Sequence, residues 1–558
     1  MIRRQSRLLV LALVAAGCSS APSTTTPVPS ANAAPIAAAD LRARLYAFAD
    51  DSMRGRQAGT PDNIRATAWI AEQARRIGLQ PGGENGSWFQ DVPLVRRGLV
   101  AGAGLSVDGQ PFTLWSDFAP IDRGAPSRAI EGASAIFAGR LADEATLVPA
   151  SATVGKVVVV RARPGTPIFL AMSQVTQRYP QAVAIVFGNQ DAIVRMAAQY
   201  FEEGQVSLKD DEPASTSAQP VLIIAGSRLT SALVGGSIDS LPPGKSGRSV
   251  RGTLSFAETT APARNVVAIL PGTDPTLKGQ YVALGAHNDH IGVSHGKAFD
   301  HDSIRAYNQA LHALGAVDPF DGSVDAARRA AIRVNVDSLH RIRPARMDSI
   351  YNGADDDGSG SVGLLELAEA WVNAQGADRP RRSVIFVWHT AEELGLYGSE
   401  WFTDHPTVPR DSIVAQVNID MIGRGSAADV ATGGPQYLEL IGPRRLSTEY
   451  AQLIEAVNAR RTTPFRIDYS LDADHHPENI YCRSDHANYA RYGIPVAFFS
   501  TGQHSDYHQV SDEPQYIDYD HYASVVQFVY DIARTVANRD ARLIVDRPKP
   551  DPKAPCVQ

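Results

Sequence analysis

The sequence predicts an α/β fold, a mixed sheet sandwiched by helices, with a smaller α/β or β-rich module inserted beside it. Three observations carry this expectation. Four apolar runs, YVALGA (281–286), SVIFVW (383–388), VAQVNI (414–419) and IPVAFF (494–499), read as strands buried on both faces. Helix-like segments, SVGLLELAEAWV (361–372) and STEYAQLIEAVNAR (447–460), lie between them, and that alternation argues for a sheet covered by helices. Residues from about 115 to 255 have another texture: the β-rich runs KVVVVRA (156–162), AVAIVFG (182–188) and VLIIAG (221–226) are separated by Gly, Pro and Ser. At 558 residues and 59.9 kDa the chain is long enough for more than one domain.

From the N-terminus, MIRRQSRLLVLALVAAGCSS begins with Arg3, Arg4 and Arg7 and an apolar run from Leu8 to Ala16. The run is too short to span a bilayer and reads as an export signal. Ala15, Ala16 and Gly17 before Cys18 resemble a bacterial lipobox. That resemblance implies removal of residues 1–17, lipidation of Cys18 and, with Ser19 next, a place on the periplasmic side of the outer membrane. Residues 18–38, rich in Ser, Thr, Pro and Ala, form a flexible tether. Thr60 and Pro61 read as N-cap and first residue of a helix that stops at Gly78. Residues 39–114 and 259–545 are assigned to the main domain, 115–258 to the inserted module, and 546–558 to a Pro-rich tail.

Composition excludes several classes. An apolar share of 44% and a charged share of 20% rule out a disordered, collagen-like or multi-span membrane chain. Lys plus Arg number 53 against 60 Asp plus Glu, a net charge of −7 that becomes −10 without residues 1–17. Such a chain lacks the basic field a nucleic acid requires. Three cysteines cannot build a disulfide scaffold or a Cys-rich zinc array, so a metal site has to use His, Asp and Glu. Cys482 and Cys556 either pair in an oxidising compartment and staple the tail, or stay free.

Each of the four strands runs into metal-type residues at its C-terminal end: His287 and Asp289; His389, Glu392 and Glu393; Asp420; and His504, Asp506 and His508. Asp355, Asp356 and Asp357 sit in a glycine-rich loop before a helix. Functional groups of open α/β sheets gather beyond the carboxyl ends of the strands. Imidazole and carboxylate donors suit hard-to-borderline cations, and there are enough of them for two ions. A pair of ions about 3.5–4 Å apart can share and acidify a water and polarise a carbonyl.

HNDH, NGADDDGSGSVGLLEL, TAEELGLYGS, NIDMIG, RSDHANYARYGIPVAFFSTG and HSDYHQVSD resemble, in order, the motifs of the zinc aminopeptidase and glutamate carboxypeptidase family, the zinc-dependent exopeptidase fold. The match covers 262–545 well and 40–95 loosely through GRQAGTPDN, and the inserted module resembles a protease-associated domain. The resemblance implies two zinc ions per chain. His287 and Asp420 would ligate one, Glu393 and His508 the other, and Asp356 would bridge them. Glu392 would be the general base and Asp289 the group that orients His287. The reaction implied is attack of a metal-bound hydroxide on a peptide carbonyl, most simply removal of N-terminal residues from peptides. Asp485, His486 and His504 are expected to line the substrate pocket; His290, His295 and His389 are read as local structure or pocket lining. A carboxypeptidase of the same fold would need Arg424 or Arg483 to hold a terminal carboxylate. A single-zinc glutaminyl cyclase-like acyltransferase and a non-catalytic binding protein are two further readings that the same motifs leave open.

Three motifs fail on context. GSGSVG (358–363) follows three aspartates and not a strand; the GKS of PPGKSG has Asp239 where a P-loop needs Gly; and GVSHG (292–296) directly follows HNDH. Finally, 69 positions separate His287 from Asp356. This insert, 295–350, includes the helix-like DSIRAYNQALHALG and VDAARRAAIRV and is expected either to wall the pocket or to lie at the periphery.

Overall fold

The computed structural model describes residues 36–122, 126–141, 144–162, 168–209, 218–294 and 297–558. The export signal, Cys18, His295 and most of the tether lie outside them. Seven strands build the main sheet: β1 (Arg264–Leu270), β2 (Tyr281–His287), β3 (Ser383–His389), β4 (Ile413–Ile419), β5 (Tyr437–Ile441), β6 (Arg466–Asp468) and β7 (Val496–Ser500). Their order is β1-β3-β2-β4-β7-β5-β6, and the short strands Gln80–Pro81 and Phe89–Asp91 pair with β1. The central four, β3, β2, β4 and β7, are parallel. β1 runs antiparallel to β3 and β5 antiparallel to β7, which makes the sheet mixed; β6 is parallel to β5. All four apolar runs of the sequence therefore end on one edge of the sheet.

Alternation along the strands sends successive residues to opposite faces. Val282, Leu284, Phe386, Trp388 and Val417 pack into a large core with the helices Ala38–Phe48, Pro61–Ile77, Gly360–Asn373 and Tyr519–Ala537. Ala283, Ile385 and Val387 face a second core with Phe402 and Tyr489 from shorter helices. The helix at Pro61 ends at Gly78, whose φ of 102° is the left-handed stop expected of a glycine there. Thr60 does not cap it through its side chain; the hydroxyl donates to the Gln57 carbonyl instead.

The second module is α/β, the first of the two textures the sequence allows. Val157–Arg161, Ala184–Gly188 and Val221–Ala225 are central strands of an eight-stranded sheet, parallel to one another. Helices at 168–178, 191–201 and 227–234 separate or follow them. The module also begins before residue 115. Gly104–Val107 and Gln110–Phe112 form a hairpin on its sheet, not a part of the main domain. The turn is Asp108–Gly109, both with positive φ, the pair that favours a two-residue hairpin.

The 295–350 insert forms the helices His301–His312, Ala326–Ala331 and Val336–Ile342. It is tied to the main domain by Arg305 to Asp506 (3.3 Å) and Arg346 to Glu513 (2.8 Å). Cys482 and Cys556 form a disulfide, which fixes the irregular tail beside residues 471–482. Gln558 completes that attachment: its side chain accepts from the Tyr481 N–H and donates to the Leu471 carbonyl.

The bond closes a loop with a sequence separation of 74, for which chain entropy gives about 4 kcal/mol. Reduction, or Cys556→Ser, is expected to lower the denaturation midpoint correspondingly. An unchanged midpoint under reducing and oxidising conditions would show that the bond contributes nothing.

Candidate metal centre

The loop carrying Asp356 is fixed by its neighbours. Asp357 Oδ2 accepts from the His287 N–H (3.0 Å), and its Oδ1 caps the next helix at the Gly360 N–H (2.8 Å). Asp355 Oδ1 accepts from the Gly423 N–H (2.6 Å), and Asp512 accepts from the N–H groups of both Asp355 and Asp356. The flanking aspartates are thus consumed by backbone, and Asp356 alone points into the cleft. Arg56, fully buried, adds a second anchor. Its guanidinium donates to the carbonyls of Asn352 (2.6 Å), Gly353 (2.9 Å) and Asn288 (3.3 Å), joining this loop to HNDH. Asn63 from the same segment donates to Asn288 (2.8 Å).

The two oxygens of Asp356 serve different groups. Oδ1 lies 3.1 Å from His287 Nε2, which is itself 3.6 Å from Asp420 Oδ1. Oδ2 lies 3.0 Å from His508 Nε2 and 3.8 Å from His290 Nδ1; Glu393 reaches both rings, at 2.9 and 2.6 Å. Within each group the donor atoms lie within 4.8 Å of one another. Ser484 steers Asp420 by donating to its other oxygen (2.7 Å). Glu392 stands 3.8 Å from His287 Nε2, outside both groups, with its backbone N–H on Asp289 Oδ1 (3.1 Å).

Several expectations change. His290, read from sequence as local structure, is brought among the donors beside Glu393 and His508. Its signal was the second His of HNDH, three positions after His287 at the same strand end. Asp289 orients His287 through its backbone carbonyl, 3.1 Å from Nδ1; its carboxylate is farther off at 3.8 Å. Asp485, His486 and His504 do not line the pocket. Asp485 is buried 3.3 Å from His389 Nδ1, and His486 is stacked on Phe498 with its proton affinity pushed down by burial to about 3. His504 is buried against Asp355 (3.2 Å). Arg424 is buried on Asp429 (2.6 Å) and Asp506 (3.0 Å), so it cannot meet a substrate carboxylate.

The cleft itself is lined by Glu392, Asp420, Met421, Ile480, Phe498 and Tyr507, among others. Sequence could not assign these as a set, because they come from separate loops with no spacing in common. The insert supplies the outer wall: Val317, Asp318 and Phe320 line the cavity beside His508, with Phe320 edge-on to its ring at 6.2 Å.

The donor set fits divalent cations. The carboxylates of Asp356, Glu392, Glu393 and Asp420 share a largely buried space, which is costly without counter-charge. Burial opposes ionisation of Asp356 and Glu393, yet the facing histidines hold the first well below the carboxylate range and the second at about 2. Glu392 behaves oppositely: burial, then the charges of Asp420, Glu393 and Asp485, push its carboxyl well above the usual range. Burial raises Asp420 as well, but Asp420 belongs to a donor group, which leaves Glu392 the raised acid outside both groups and suited to carry a proton.

Residues 265–533 match the description of peptidase family M28. Leucine aminopeptidase 1 of Paracoccidioides brasiliensis (strain Pb18) is 28% identical over 243 residues, 42% of this chain and 57% of its own length. The chain spans about half the length of the curated relatives it matches. An aminopeptidase from Aneurinibacillus sp. strain AM-1 superposes on 92% of this chain and 97% of its own, with a TM-score of 0.50 at 15% identity. A zinc aminopeptidase from Bacillus subtilis does so on 92% and 98%, with a TM-score of 0.50 at 16% identity. At these identities the likeness is one of fold.

Gly353 lets the two metal loops meet. Its φ is +56°, and a Cβ there would lie 2.5 Å from His290 Cγ and 2.3 Å from the Asp356 carbonyl. Gly353→Ala is expected to cost at least about 1–2 kcal/mol and to reduce bound metal. A variant with wild-type melting and metal content would show that the loops can move apart freely.

Proposed function

We propose, from the match of residues 265–533 to peptidase family M28, that this chain is an exported zinc metallopeptidase acting as an aminopeptidase. The observation that carries the reading is Asp356, whose two oxygens face two separate donor groups beside the free acid Glu392. His287, Asp356 and Asp420 would hold one divalent ion; His290, Asp356, Glu393 and His508 would hold the other. Such a pair supplies Lewis acidity, polarising a carbonyl and acidifying water.

The chain's own groups do the rest. Glu392, with its raised proton affinity, accepts a proton at its carboxylate and delivers it to the departing amine. Glu392 and Glu439, the cleft acids outside both donor groups, favour a substrate ammonium over a carboxylate. Arg424 is engaged with Asp429 and Asp506, and Arg483 pairs with Glu478 (3.2 Å), which weighs against a carboxypeptidase. The Cys482–Cys556 bond favours an oxidising compartment. Attachment to the outer membrane through Cys18 completes the reading, with soluble peptides as the substrates reached.

Purified chain is expected to hold about two zinc ions and to cleave aminoacyl anilides in a chelator-sensitive manner. Glu392→Gln should keep its metal and lose about 100- to 10,000-fold in kcat. Full activity in that variant would sink the assigned chemistry. His290→Ala should lower the metal content towards one ion per chain; retention of both would remove His290 from the donor set.

A further inference from the structure

Glu439 lies in the same cleft and takes no part in holding metal or moving the proton. β4, β7 and β5 are neighbours; Ile419 pairs with Phe499, and Ser500 with Glu439. Asp420, Ser500 and Glu439 therefore stand in a row across three strands. At about 4.8 Å per strand, Glu439 is roughly 10 Å from Asp420. The cleft that both line also has the apolar walls Met421, Leu471, Ile480 and Phe498.

Glu439 is only 6% exposed. Its Oε1 accepts from the Tyr437 hydroxyl (2.5 Å) and sits under Gly502, where a Cβ would come within 3.0 Å of it. Among the described residues no cation pairs with it. Its register partner on β6, Asp468, adds a second negative charge, and burial lifts the Glu439 carboxyl to about 7. Arg483 lines the cleft as well, but it acts on Tyr507 and pairs with Glu478. A buried acid without a counter-charge is unfavourable in the free protein and marks a place where a ligand brings the missing charge.

We propose that this cleft takes the side chain of the substrate's N-terminal residue, and that Glu439 selects lysine and arginine there. The inference rests on the aminopeptidase reading. The apolar walls suit a methylene stem, and Glu439 meets its cationic tip. A leucine would fill the walls but leave Glu439 buried and unpaired, the situation in which a polar site discriminates most strongly. The N-terminal ammonium itself cannot reach Glu439, because the scissile carbonyl has to lie by Asp356, on the Asp420 side of the cleft.

The test compares kcat/KM of the zinc-loaded full chain on Lys-, Arg-, Met- and Leu-p-nitroanilide, with N-acetyl-Lys-p-nitroanilide as the blocked control. Lys and Arg should exceed Leu by about tenfold or more. In Glu439→Gln the Lys:Leu ratio should fall at least tenfold, mainly through KM, with metal content unchanged; Glu439→Asp should restore part of it. Chelator-sensitive cleavage with Leu equal to or above Lys in the wild type would overturn the proposal, as would an unchanged Lys:Leu ratio in a folded Glu439→Gln. Failure to cleave any free-amine substrate with metal bound would instead overturn the aminopeptidase reading.

Discussion

Everything around the cleft depends on holding one carboxylate, Asp356, so that its two oxygens face two different donor groups. A buried carboxylate is unfavourable on its own and moves to find partners. The molecule prevents that movement by committing other charges to the backbone. Asp355, Asp357 and Asp512 accept from N–H groups of the loop and of the strands beside it. Arg56 donates to three carbonyls from the opposite side. The result is a rigid loop with a single side chain left uncommitted. This explains why a run of three aspartates is needed where only one faces the donors.

The same logic shows why some of the site was legible in the sequence and some was not. Strand ends carry their functional groups at fixed offsets, so His287, Glu392, Glu393 and Asp420 could be read from apolar runs followed by charged residues. His290 escapes that pattern because one histidine after a strand satisfies it, and only the fold shows that the chain turns back beneath Glu393. Asp485, His486 and His504 mislead for the opposite reason. They lie in motifs rich in polar residues, but His486 is stacked on Phe498 and His504 is paired with Asp355, both behind the cleft wall. Glu439 had no sequence signal at all, since it sits in an ordinary strand, YLELI, whose importance comes from which strand it pairs with. The module boundary moved to residue 104 because a short hairpin carries too few apolar residues to register as β structure.

The cleft is asymmetric in charge. Asp356 and Asp420 belong to groups suited to hold cations, whereas Glu439 lines the cleft outside those groups, and Arg483 lines it as well.

The insert turns that open cleft into a bounded one. Its base is fixed by charge: Arg305 reaches Asp506, which also receives Arg424, which in turn holds Asp429. This chain of pairs links the first helix of the insert to the loops after β4 and β7, the two loops that supply Asp420 and His508. Arg343 on Asp302 and Arg346 on Glu513 close the base from the other side. The tip differs, because Phe320 is 60% exposed and meets the domain through the edge of the His508 ring. The base is thus held by several ion pairs to buried carboxylates, and the exposed tip stands edge-on to one aromatic ring. The insert therefore bounds the cleft on the His508 side, while Glu439 lines it on the Asp420 side.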